Sequence, residues 1–565
     1  MARVREQAVY WWQSPNPIWV RELRQSARLT RTPFILMAVA AFSALLLCTI
    51  GGVMTGSSDP ASIGVALHQT FFSIAFFVVT VAGPTLAANS IASEREGRTW
   101  EALQLTGLAP GVIARGKFTS AFTNIAMYVV MMAPVGALPF LFGGVTAIEV
   151  VLSFVWLFII AGLSVAAGLA LSSKMDSMRG AIVVTLLLTM VFVPMLFSTL
   201  GFGGSVIAHD VWRQVPEGQP VWLPTAYERA TFGWEYIGLL VALPLMSALL
   251  PGWFFYEVTI ANLSGAADDR SSGIRKWALW SSLLLLCAAM IGVLVVDASD
   301  RRPLAMFEIS SFALFVFFLV FVFAGEPIGP SRRVTLEWAR TKASAFTRFF
   351  GPSVTKAASL ALLVGVGGLG ALTAVSMLAL TITKSTTRAV DVGQILVVGF
   401  YAAAFSAFVI GFTAWIRART NSPATARLLL LVTLFFISAG PWIIAAIVGA
   451  MAESNDGPFL LAAPSPFYAY YAASLMRSGS PSDSATLGML GVGVSASAWA
   501  LFGLALLGLA SRRCRDVIRA HEAAIAETDA RLAAEDAAQS EAAARADEQP
   551  PMSEIPPNTR APANG

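Results

Sequence analysis

Residues 93–117, SEREGRTWEALQLTGLAPGVIARGK, gather Glu94, Arg95, Glu96, Arg98, Glu101, Arg115 and Lys117 directly after the apolar run 65–88, in a chain only 13% charged. Such groups could hold a phosphate, work as an acid–base set, or dock a partner. The phosphate reading has a specific form, because Gly111, Gly116 and Lys117 fit G-x-x-x-x-G-K, the start of a nucleotide-binding loop. Yet Phe118 stands where that loop needs a magnesium-binding Ser or Thr, no strand is expected before it, and an apolar run follows. No cofactor site is therefore expected on this chain. Three histidines (His68, His209, His521) and three cysteines (Cys48, Cys287, Cys514) are too scattered for a metal set or a disulfide framework. Asp210, Glu217, Glu228 and Arg229 share one loop but match no catalytic spacing, so no catalytic residue is expected.

Docking is what the segment suits best. Ser93 with Glu96 three positions on fits a capping box, and Glu94 and Glu96 would complement the start of a helix. Gly107 and Pro110 then punctuate that helix before a second one near Phe118. The expected element is a short surface helix over 93–106. Trp100, Leu103 and Leu105 are available for burial, and Glu94, Arg95, Glu96, Arg98 and Glu101 face water or a partner.

The elements that position it are membrane helices. With 565 residues, 56% of them hydrophobic, and a mean hydropathy of +0.68, the chain reads as an all-α, polytopic membrane protein. Twelve runs approach the length needed to span a bilayer, near 33–53, 65–88, 118–142, 148–172, 180–200, 236–256, 278–297, 308–325, 357–383, 392–415, 427–450 and 486–510. With the N-terminus inside, 31 of the 38 Lys and Arg residues fall on inside segments, which places both termini in the cytoplasm of a multi-pass protein of the cell membrane. The net charge of +4 is spread over these loops and points to anionic lipid rather than nucleic acid. Arg21, Arg24, Arg28 and Arg31 precede the first run with no cleavage site, so no cleavable signal peptide is expected.

Six spans make a unit that recurs. Pro194 pairs with Pro441 in the fifth and eleventh spans, WLPTAYERA with APSPFYAYYAAS in the following outside loops, and Thr99 and Glu101 with Thr335 and Glu337 in inside loops. The expected division is a cytoplasmic interfacial helix over 1–32 and six-span halves over 33–277 and 278–510. A charged helix over 511–549 and a disordered tail over 550–565 follow. An even span count per half makes the repeats parallel. Tyr10, Trp11, Trp12 and Trp19 suit the headgroup level of the interfacial helix.

The run SEREGRTWEALQLTGLAPGVIARGK resembles the Glu-Arg-Glu-Gly segment of type-2 ATP-binding-cassette (ABC) exporter permeases, and NPIWVRELRQSARL is similar to their opening interfacial helix. The motif covers about 25 residues, and the six-span topology extends the likeness over the first half. The resemblance implies a transport subunit without ATPase activity of its own, served by a separate ABC ATPase in two copies. Glu94, Arg95, Glu96, Gly97, Thr99 and Glu101 would form the ATPase contact, supported by Lys117, and Thr335 and Glu337 would be the second-half counterpart. Arg98 departs from the motif, and Pro327, Gly329 and Pro330 replace the acidic start in the second half, which implies unequal coupling. An ion-coupled secondary carrier and a non-transporting scaffold remain open alternatives. The carrier is disfavoured by carboxylates that fall at the expected span ends, Glu149, Glu257, Asp297, Glu308 and Glu326. The cargo is not legible.

Overall fold

The structure, a computed structural model, describes residues 15–27, 31–54, 59–198, 203–215, 225–265, 267–382, 388–420, 422–452, 458–476 and 482–547. Tyr10, Trp11, Trp12, Arg28, Glu217 and the tail from 550 lie outside these. Apolar runs in lipid must satisfy their own backbone groups, and the described regular structure is accordingly helical.

In the first half, α1 (Pro17–Ala27) is followed by α2 (Arg31–Met54), α3 (Pro60–Glu96), α4 (Trp100–Leu105), α5 (Pro110–Ala137), α6 (Ala147–Ser172) and α7 (Met178–Leu196). Two short helices, α8 (Gly204–Val211) and α9 (Thr225–Arg229), precede the sixth span, which opens with a π-helical stretch Tyr236–Ala242 and continues as α10 (Leu243–Leu263). The second half comprises α11 (Ser272–Val295), α12 (Arg301–Phe323), α13 (Arg332–Arg340), α14 (Ala345–Phe350), α15 (Val354–Ala361) and α16 (Gly367–Ile382), the last two joined through a π turn. It closes with α17 (Arg388–Arg419), α18 (Pro423–Ala452), α19 (Tyr468–Leu475) and α20 (Ser482–Asp547). Among the described residues, eleven segments are long and apolar enough to cross a membrane. The run expected near 33–53 lies in α2, whose described apolar part is Ala40–Met54.

Two hydrophobic cores organise the bundle, one from Ile18 to Leu263 and one from Trp277 to Cys514. The break falls in the turn between α10 and α11, so Trp277, expected to close the first half, packs in the second core. The cores touch where Trp277 donates its indole N–H to Leu250 O at 2.8 Å and packs against Phe254. Lipid offers little hydrophobic drive between helices, so close packing at small residues carries the association. A Cβ on Gly168 would lie 2.3 Å from Pro84 O, which binds α6 to α3, and one on Gly411 would lie 2.0 Å from Gly503 O, which binds α17 to α20.

Each half clips its outer loop between its fourth and sixth spans with a Tyr–Trp hydrogen bond. In the first, Trp156 of α6 donates to Tyr227 Oη at 3.0 Å and Tyr227 donates to Leu240 O. In the second, Trp499 of α20 donates to Tyr401 Oη at 3.2 Å, and Tyr401 of α17 donates to Ala463 O at 2.8 Å.

Three expectations are corrected. The second span does not end near 88, because Ile91 and Ala92 are fully buried and α3 runs on to Glu96. Ser93 therefore lies in a last turn and not at a helix start, and the capping box forms instead at Thr146 and Glu149, heading α6. Finally, Glu308 sits about two turns inside α12 rather than at its end.

Candidate functional site

Sequence 93–117 folds as the last turn of α3, a tight corner, α4, and the first turns of α5. Thr99 N donates to Glu94 O at 2.9 Å and Arg98 N to Arg95 O at 3.1 Å, the paired bonds of a helix terminated by a left-handed residue. That residue is Arg98 (φ 56°), although Gly97 beside it has no Cβ to strain. Thr99 then accepts from Leu103 N at 3.1 Å and starts α4, with Glu101 in its first turn.

The acidic residues turn inward or sideways. Glu94 accepts from Arg21 of α1 at 2.5 Å and pairs with Lys117 of α5 at 3.1 Å. Lys117 is fully buried and also donates to Glu22 and to Ser90 O, each at 2.8 Å. Gly116 makes the seat possible, since a Cβ there would lie 2.7 Å from Asn16 Oδ1 and 2.8 Å from the Ile18 Cβ of α1. Glu96 accepts from Met178 N at 2.8 Å and so caps α7. Arg95 pairs with Asp176 at 3.5 Å and covers the Trp100 ring. Three side chains that looked free thus tie the corner to α1, α5 and the start of α7.

What remains outward is Gly97, Arg98, Thr99, Glu101 and Leu105, the last 88% exposed. Leu103 is buried and Trp100 half-buried beneath them. The result is a short surface helix with a charged and apolar outer face, fixed from below.

On the same side of the second half, Ser331 caps α13 by accepting from Val334 N, and Thr335 and Glu337 project from α13 into solvent with Leu336. Thr335 lies within a helix and Thr99 in a corner, so these do not superimpose in role. Helices α3 and α13 nonetheless end alike: Lys342 (φ 49°) takes the left-handed position after α13 as Arg98 does after α3, with Ala343 N donating to Trp338 O at 2.9 Å.

The residue that matches Glu94 is Glu326, which the sequence comparison passed over. It stands just beyond α12, almost wholly buried, and pairs with the fully buried Arg275 of α11 at 2.9 Å. Ser271 Oγ donates to its carboxylate at 2.6 Å, and Arg417 Nε donates to its carbonyl at 2.8 Å. Burial pushes the Glu326 carboxyl above the ordinary carboxylate range, and the Arg275 guanidinium and Ser271 hydroxyl act against that shift. Arg275 also donates to Phe349 O, Gly351 O and Ser353 O. A carboxylate directly after an apolar run was the available signal.

Gly111, Gly116 and Lys117, the apparent nucleotide loop, lie in helix α5 with the lysine consumed by Glu22 and Glu94. Among the described residues no group of His, Cys, Asp and Glu could hold a metal ion.

These features define an all-helical, multi-pass membrane protein with ion-stapled junctions on its basic side. No family model, no curated protein and no solved structure matches the chain.

Proposed function

We propose that the chain is the membrane-spanning permease subunit of an ATP-driven ABC exporter, coupled to a separate ATPase at the cytoplasmic helix α4. One observation supports this most: α4 offers an outward face of Arg98, Thr99, Glu101 and Leu105 while its root is bonded to α1, α5 and α7. Force applied to such an element reaches several helices at once instead of dissipating in a loop. In this reading Arg98, Thr99, Glu101 and Leu105 meet the ATPase, Gly97 lies at the edge of that contact, and Glu94, Arg95, Glu96 and Lys117 hold the element in place. Thr335, Leu336 and Glu337 on α13 serve the second ATPase copy, on a helix held differently and so coupled unequally. ATP is bound and hydrolysed by the partner, and the chain lies in the cell membrane.

The carrier reading draws on Glu308 within α12 and on His68, fully buried and 3.2 Å from Ser153 Oγ. His68 lies in α3 of the first half and Glu308 in α12 of the second, and the hydrogen bond of His68 is to Ser153 of α6.

The test is co-purification in nanodiscs with a candidate ABC ATPase of the same genome. Glu101→Lys/Leu105→Asp, on the outer face, is expected to lower ATPase retention at least tenfold while the permease stays monodisperse. Unchanged retention, or no retention by the unsubstituted chain, overturns the proposal, and Glu308→Gln transport then tests the carrier.

A further inference from the structure

The first half owes the rigidity of its basic-side junction to α1, which lies across α5 and reaches Glu94 and Lys117 through Arg21 and Glu22. The second half has no room for an equivalent. Leu263 ends α10 and Ser272 begins α11, so the eight residues between them are too few for a helix like the 11-residue α1.

Another helix stands in that place. α20 is 66 residues long and leaves the membrane without a break, carrying Ala510 and Cys514 buried against the second core. Its part beyond Ser511 extends about 55 Å at the usual rise per residue. Along the way it passes the chain that leads into α13. A Cβ on Gly329 would lie 3.0 Å from Ile518 Cγ1, and three residues later in α13 Arg332 pairs with Asp529 at 2.8 Å. Beyond Cys514, Val517, Ile518, Ile525 and Asp529 are the partly covered positions on an otherwise exposed stretch, and the last three fall on one helical face. The root of α13 is fixed from its other side by Arg333–Asp268 at 2.8 Å and by Ser331 donating to Ala267 O.

We propose that the C-terminal helix is the brace of the second half: it replaces the interfacial helix that this repeat lacks, with the start of α13 as its intramolecular partner. Movement of the twelfth span and of α13 is then linked through Ile518 and Asp529, as α1 links the second and third spans in the first half. A polar helix of this length, Ala-rich and exposed on nearly all sides, gains little from tertiary packing and persists because it continues a membrane helix. Its course past α13, and not its burial, gives it this role. The inference goes beyond the ATPase reading and holds whether or not an ATPase docks.

The experiment uses the full chain in nanodiscs, with Cys48, Cys287 and Cys514 replaced by alanine and a protease site inserted in the outer loop within 453–457. Gly329→Cys/Ile518→Cys is oxidised and then cleaved, and a disulfide holding the two fragments together is the expected result. In the native-cysteine chain, Asp529→Arg should raise tryptic cleavage at Arg332, Arg333 and Arg340 several-fold, and Arg332→Asp/Asp529→Arg should bring cleavage at Arg333 and Arg340 back to the starting rate. Removal of residues 515–565 should match Asp529→Arg or exceed it. No disulfide, or cleavage that neither Asp529→Arg nor the truncation changes, overturns the brace. Neither readout involves an ATPase, so failure here leaves the transport reading to its own test.

Discussion

The two basic-side junctions, Glu94–Lys117 in the first half and Glu326–Arg275 in the second, meet the same electrostatic demand from different directions. Each places a carboxylate near the end of its second span, and each neutralises it with a fully buried cation. In the first half that cation comes from the third span and α1 adds Arg21; in the second it comes from the first span, and carbonyls of Phe349, Gly351 and Ser353 accept further bonds from its two terminal nitrogens. The difference teaches that two halves can share a charge problem without sharing the residue that solves it. It also sets a hierarchy of stiffness. The first junction is a network of two acids and two bases with some solvent access, while the second is a single pair sealed from water.

The largest effect is expected at the sealed pair. Arg275→Met leaves Glu326 buried without its cation and should cost about 3–5 kcal/mol, read as the unfolding midpoint in detergent. Arg275→Met/Glu326→Leu should recover most of that loss, because removing both charges also removes their desolvation cost. If the double substitution is no better than the single one, the pair does not act as a unit. Lys117→Met should destabilise less, by about 1–3 kcal/mol, since Arg21 still neutralises Glu94 from the half-open side. A loss equal to that of Arg275→Met would erase the distinction between the junctions. Ser331→Ala removes the α13 cap and should cost about 1 kcal/mol, with faster hydrogen exchange confined to 331–335. The smallest effect has the opposite sign: Arg98→Gly and Lys342→Gly each relieve a left-handed residue and should stabilise by up to about 1 kcal/mol. If both lose stability, the side chains carry more than the backbone geometry implies.

Much of the fold was legible because lipid imposes one rule, that apolar runs of sufficient length become helices, and Val65–Ala88 or Leu428–Ala450 obey it without help from neighbours. Helix ends were less legible. Ser93 and Glu96 read as a start by local chemistry, but Ser172 Oγ, which accepts from Ala92 N at 3.0 Å, and the burial of Ile91 carry α3 past them. Local preference yields to tertiary packing there. The repeat led to Thr335 and Glu337 by residue identity, whereas Glu326 matches Glu94 by burial and charge, which identity does not record. The partners of Lys117 were beyond reach for a further reason: Glu22 and Glu94 lie on separate elements, and only folding shows that a lysine with a nucleotide-loop spacing is already occupied.

The central claim is that α4 is where an ATPase meets this chain. A photoreactive amino acid at Leu105, in membranes co-expressing the candidate ATPase, reads that contact directly. The account predicts an adduct with the ATPase from position 105 and a weaker one from Leu336 on α13. An ATPase that purifies with the chain yet forms no adduct at 105, or forms one only from the outer loop, would contradict it.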